Sequence, residues 1–84
     1  MDATERPTAF VDVSDPNLVP PEPMVMILDA LEALPPGGRL VVSHIRRPIH
    51  LYPRLDAMGC THETRELGPE RIELVIDKPA EVAS

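Results

Sequence analysis

The stretch "SHIRRPIHLYPR", residues 43–54, gathers most of what could do chemistry in this chain: two of the three histidines, three of the eight Lys and Arg residues, and the only tyrosine. Arginine holds carboxylate or phosphate through two parallel hydrogen bonds, and histidine changes charge near neutral pH. His44, Arg46, Arg47, His50 and Arg54, with Asn17 from an earlier loop, therefore suit a small anionic ligand or an acidic protein partner. Histidine ionisation near its ordinary value of ~6.5 would strengthen that binding as pH falls. The competing reading is a solvated loop, because exposed connections are polar whether or not they bind anything. His44 and His50 lack a further fixed ligand, a weak pattern beside the closed ligand sets of zinc sites. We expect no metal.

Cys60 is the remaining reactive group. It follows Gly59 at the exit of the second predicted helix, where negative partial charge raises a thiol's pKa. We read it as a small, semi-buried residue that starts a strand. One cysteine leaves neither an internal disulfide nor a paired-Cys zinc motif. Glu22 would serve the first turn of the first helix, since it has no identifiable acid–base partner. No complete catalytic constellation emerges, so we expect no catalytic residue and no cofactor.

The elements that must position these groups are short. TAFVDV (8–13) alternates as a strand and ends in the turn signal Ser14-Asp15-Pro16-Asn17. Met24, Ile27, Leu28, Leu31 and Leu34 form one apolar stripe, which predicts a helix near 22–34. Pro21 and Pro23 fit its opening, because the first-turn amides have no intrahelical partner to lose, and Pro35-Pro36-Gly37-Gly38 ends it. RLVVSH (39–44) reads as an interior strand. A second helix is expected over 48–58, with Pro48 near its first position and Leu51, Tyr52, Leu55 and Met58 on its buried side; Gly59 supplies the left-handed residue after it. THETREL (61–67) has the low apolar content of an edge strand. RIELVID (71–77) turns Ile72, Leu74 and Ile76 inward.

The order β-α-β-α-β-β implies a two-layer α/β sandwich, with two helices on one face of a four-stranded mixed sheet. The first two strands would be parallel and the last two a hairpin. A single domain should span 8–78, with residues 1–7 and 79–84 as flexible ends. The net charge of −6 argues against nucleic acid, where phosphate neutralisation supplies most of the affinity. No apolar run approaches the ~20 residues that span a bilayer, and the first ten residues offer no secretory signal. A monomer in a bacterial-type cytoplasm is the expected setting.

Pro20-Pro21-Glu22-Pro23-Met24, followed by "ILDALEALPPGGRLVV", resembles the TusA/SirA family of small sulfur carriers over about residues 9–78. That resemblance implies the same fold, and it implies a Cys-Pro-x-Pro motif at the first helix, where the cysteine accepts a persulfide. Here Pro20 stands in the cysteine's place and has no nucleophilic atom. The chain is more similar to a cysteine-less branch of TusA-like domains of unknown function, which also carries an "HxxRPxxLYP"-like segment. The leading expectation is a noncatalytic binding module. The alternative is a sulfur-transfer or redox-related carrier, or an accessory to an enzyme, that uses Cys60 or the His44–Arg54 segment.

Overall fold

The computed structural model of the chain describes residues 7–19 and 21–80. Six elements follow in the expected order: β1 (Thr8–Asp12), α1 (Glu22–Ala33), β2 (Arg39–His44), α2 (Tyr52–Ala57), β3 (Thr61–Gly68) and β4 (Arg71–Asp77). They form a four-stranded sheet in the order β1-β2-β4-β3. β1 lies parallel to β2, with Phe10 opposite Val41. β4 runs antiparallel to both β2 and β3. The two strands that carry buried residues, β2 and β4, hold the centre, where both edges are paired. The charged β3 takes an edge, where its outward side chains meet water.

Alternation along the central strands separates two faces. Leu40, Val42, Leu74 and Ile76 are fully buried against Ile27 and Leu31 of α1 and against Leu51 and Leu55 at α2. Both helices cover this one face. The opposite face carries Phe10, Val41 and Val75 among Arg39, Asp77, Arg65 and Glu73, and it stays open. Arg39 grips Asp77 with two bonds there, at 2.7 and 3.0 Å.

α1 begins as its prolines allow. The N–H of Val25 makes a helical bond to the Pro21 carbonyl at 3.0 Å, and Pro23 sits in the first turn. At the far end Gly38 is enclosed. A Cβ there would lie 2.6 Å from Cγ of Leu34, so any larger residue would push the helix off the strand that follows it.

The second helix is shorter than the sequence suggests. It starts at Tyr52, with Pro53 in its first turn, whereas Pro48 belongs to a separate turn closed by the Leu51 N–H at 2.9 Å. A helix from Pro48 would place Pro53 in its interior, where the ring lacks an N–H and clashes with the carbonyl four residues back. Starting at Tyr52 removes that conflict. Met58, expected on the buried side, is 43% exposed. It caps the helix instead, and the inward position at this end is filled by buried Cys60, whose N–H reaches the Leu55 carbonyl at 2.9 Å. Gly59 does adopt the left-handed conformation, at φ 78°.

Candidate functional site

The carboxyl end of β2 runs into a loop over residues 45–51, and this loop faces the amino end of α1 across a cleft of about 490 Å³. That volume falls in the ~300–1,000 Å³ range of small-molecule sites. Leu18, Pro21, Pro23, Met24 and Ile27 line one side; His44, Ile45, Arg46, Arg47, Pro48, Ile49 and His50 line the other. Its situation follows from the topology. The β1–α1 and β2–α2 connections both leave the carboxyl ends of neighbouring parallel strands, the position where open α/β sheets hold ligands.

His44 closes β2 and is only 8% exposed. Its Nδ1 accepts hydrogen bonds from the N–H groups of Ile45 at 2.9 Å and Arg46 at 3.3 Å. The ring proton therefore resides on Nε2. Burial, helped by the charge of Arg46, holds the imidazole's pKa below the ordinary histidine value. His44 therefore ionises below the ordinary value of ~6.5 that its type alone suggests. His44 is a neutral side chain that satisfies two amides as the chain leaves the sheet.

The arginines divide. Arg47 donates from Nε to Glu66 Oε2 at 2.9 Å, an exposed ion pair that ties the loop to β3. That bond and its charge raise the guanidinium's pKa further. Arg46 is exposed, and its side chain has no partner among the described residues. His50 is also exposed on the rim. Arg54 belongs to α2 and lies outside the cleft lining. Asn17, in the turn between β1 and α1, also lies outside it, and its backbone N–H is held by Asp15 Oδ1 at 2.9 Å. Pro20, the position that matches the carrier cysteine, lies outside the described residues. Glu22 turns back, and its Oε1 accepts from the Val19 N–H at 3.1 Å, which braces the approach to α1.

His62 belongs to a different cluster. Its ring stacks on Tyr52 with centroids 4.8 Å apart, and its Nε2 meets Asp56 Oδ1 at 3.2 Å. The Tyr52 hydroxyl bonds Thr64 Oγ1 at 2.6 Å, fastening α2 to β3. Among the described residues no group of three or more His, Cys, Asp or Glu side chains is placed to hold a metal ion. The Cys60 thiol is 5% exposed, and burial pushes its pKa up despite the nearby Lys78 ammonium.

Sequence reasoning reached the polar rim of this cleft and missed its apolar wall. Ile45 and Ile49 fall outside every helical or strand stripe, yet they bracket the two arginines. Ile49 is left 63% exposed. Unplaced apolar residues beside unpaired charges were the available signal.

Residues 11–78 match the family described as "Uncharacterized conserved protein (DUF2249)". The chain belongs to this DUF2249 family. No curated protein and no solved structure matches it. The DUF2249 match contains every residue that lines the cleft. Among the described residues, no helix of this DUF2249 chain is long and apolar enough to cross a membrane.

Proposed function

We propose that the chain is a noncatalytic binding module on a TusA-like scaffold, which takes an anionic ligand, free or carried by a protein partner, in the cleft between α1 and the 45–51 loop. The observation that carries this reading is Arg46: an exposed guanidinium without a partner among the described residues, at the rim of an otherwise largely apolar cleft in an acidic chain. The TusA likeness is supported by the element order and by the Pro21-Glu22-Pro23 opening of α1. A carrier role through Cys60 has less support, because the thiol is buried and its pKa is raised, whereas a persulfide acceptor needs an accessible thiolate. Nucleic acid and membrane surfaces are poor partners for a chain of net charge −6. A monomer in a bacterial-type cytoplasm completes the proposal.

The test is a titration of isotope-labelled protein with phosphate, sulfate, nucleotides and acidic peptides. Amide shifts should gather at residues 13–27 and 44–51 and should weaken with added salt, as charge pairing at an exposed rim requires. Shifts that scatter, or that gather at the opposite end near Gly37 and Gly59, would sink the reading.

A further inference from the structure

We infer that the ligand of this cleft is a small amphiphilic carboxylate, with its head held by His44 and Arg46 and its apolar tail laid along Leu18, Met24 and Ile49. This rests on the binding reading above and gives it a chemical class. The head site is built from two donors. His44 Nδ1 is occupied by two backbone amides, which leaves Nε2 to carry a proton. That N–H has no partner among the described residues. Fully enclosed side-chain nitrogens and oxygens in this structure all have partners. His44 is one of the residues that line the cleft. Arg46 adds a permanent charge. A neutral N–H and a guanidinium together match the two oxygens of one carboxylate.

The charge balance favours a single negative head. Asp15 is the one carboxylate in the lining, and its Oδ1 already accepts from Asn17. Arg47 is compensated by Glu66. Arg46 is the one guanidinium of the lining without a carboxylate partner among the described residues, and a single carboxylate is what one guanidinium pairs. A phosphate or sulfate would have to shed tightly held water against an apolar wall, and the wall would return nothing for it. A peptide rich in acidic residues would press several carboxylates onto Ile45 and Ile49. An aliphatic tail instead covers Ile49, which is 63% exposed, and removes its apolar surface from water.

Labelled protein titrated with butyrate, hexanoate and octanoate below their micelle concentrations tests this directly. Cleft amides should move, and affinity should rise about fourfold for each added methylene that is buried. Octylamine, with the same tail and the opposite charge, should not compete. Arg46→Gln should weaken octanoate by roughly tenfold or more, and Ile49→Glu should abolish its binding. Both residues are exposed, so circular dichroism of each variant should match the parent; Arg65→Gln on the open sheet face serves as a control that leaves binding unchanged. If phosphate or an acidic peptide moves the cleft amides while octanoate does not, the carboxylate inference is overturned and the binding reading stands. If none of these probes moves them, both are overturned. Octanoate binding that ignores tail length or survives Arg46→Gln unaltered also overturns the inference.

Discussion

At its carboxyl end α1 is closed by Lys78, whose ammonium donates to the carbonyls of Leu31 at 2.9 Å and Leu34 at 2.6 Å. The chain around it adds backbone bonds from the Gly37 N–H to the Pro79 carbonyl and from the Lys78 N–H to the Gly38 carbonyl, which tie this end of the helix to the residues that follow β4. At its amino end the same helix has no side-chain cap but is closed locally. Pro21 and Pro23 carry no N–H, the Glu22 N–H reaches the Val19 carbonyl at 2.8 Å and the Val25 N–H the Pro21 carbonyl at 3.0 Å. An open cleft lies beside it. One end is closed by a residue from more than forty positions away; the other is closed by its neighbours in sequence and borders the cleft. Helix ends leave unsatisfied backbone groups that must find partners; among the described residues a distant side chain supplies them only at the carboxyl end. The amino end is where the proposed ligand would have room, and the carboxyl end is the one held by long-range bonds.

The largest effect that would test this division is on the core between the two ends. Leu31 is fully buried against β2 and β4, and Leu31→Ala should destabilise by about 2–5 kcal/mol in urea unfolding. A change near zero would mean that α1 is not anchored as described.

Next comes the seal itself. Lys78→Met keeps the aliphatic stem and removes the charged donor, and it should cost about 1–2 kcal/mol without moving the cleft amides. Cleft shifts in that variant would show that the two ends are coupled, and the contrast between them would fail.

A smaller effect separates the ends by pH. The unfolded chain's histidine titrates near ~6.5, and folded His44 titrates below that because of its burial and the neighbouring Arg46. On acidification the unfolded state takes up the proton first. This contribution to stability is thus complete above ~6.5 and declines as pH falls from there through the folded value. Urea midpoints and the His44 ring resonances, followed between about pH 7.5 and 5.5, should show that decline. Arg46→Ala should shrink it, because one cause of the depressed pKa is gone. A His44 that titrates above the unfolded value would reverse the sign and would make the residue a cation of the site after all.

The subtlest measurement concerns Cys60, at the end of the molecule closed by Lys78. Its thiol should alkylate more slowly than glutathione at neutral pH and become fully reactive only in denaturant, since burial both hides it and raises its pKa. The protein should also acquire no added sulfur from a cysteine desulfurase supplied with cysteine, read by mass spectrometry. A stable persulfide lost in Cys60→Ser would move the function to the end that Lys78 closes.

Much of this architecture was legible in the residues because periodicity is a local property. The two-residue repeat of RLVVSH and RIELVID assigns Leu40, Val42, Leu74 and Ile76 to one face wherever those strands lie, and the stripe through Ile27 and Leu31 needs a partner of that kind. The charged, apolar-poor THETREL could pair only at an edge. The start of α2 was legible in principle as well, since Pro53 bars a helix from Pro48, but two prolines five residues apart offer two plausible openings. Only the loop's own hydrogen bonds choose between them. The roles in the cleft were not local at all. Arg46 and Arg47 are adjacent and chemically identical, and what distinguishes them is Glu66, nineteen positions on, brought beneath one of them by β3. His44 was expected to ionise near the ordinary histidine value; the tertiary structure turns two amides toward its Nδ1, which sets its proton on Nε2, and buries the ring, which lowers its pKa. Lys78 gave no signal as a helix cap, for the carbonyls it holds belong to residues 31 and 34. Patterns of side-chain type determined which elements form and which way they face. Charge state, pairing and access depend on which distant atoms share a few ångströms, and those were decided only when the sheet closed.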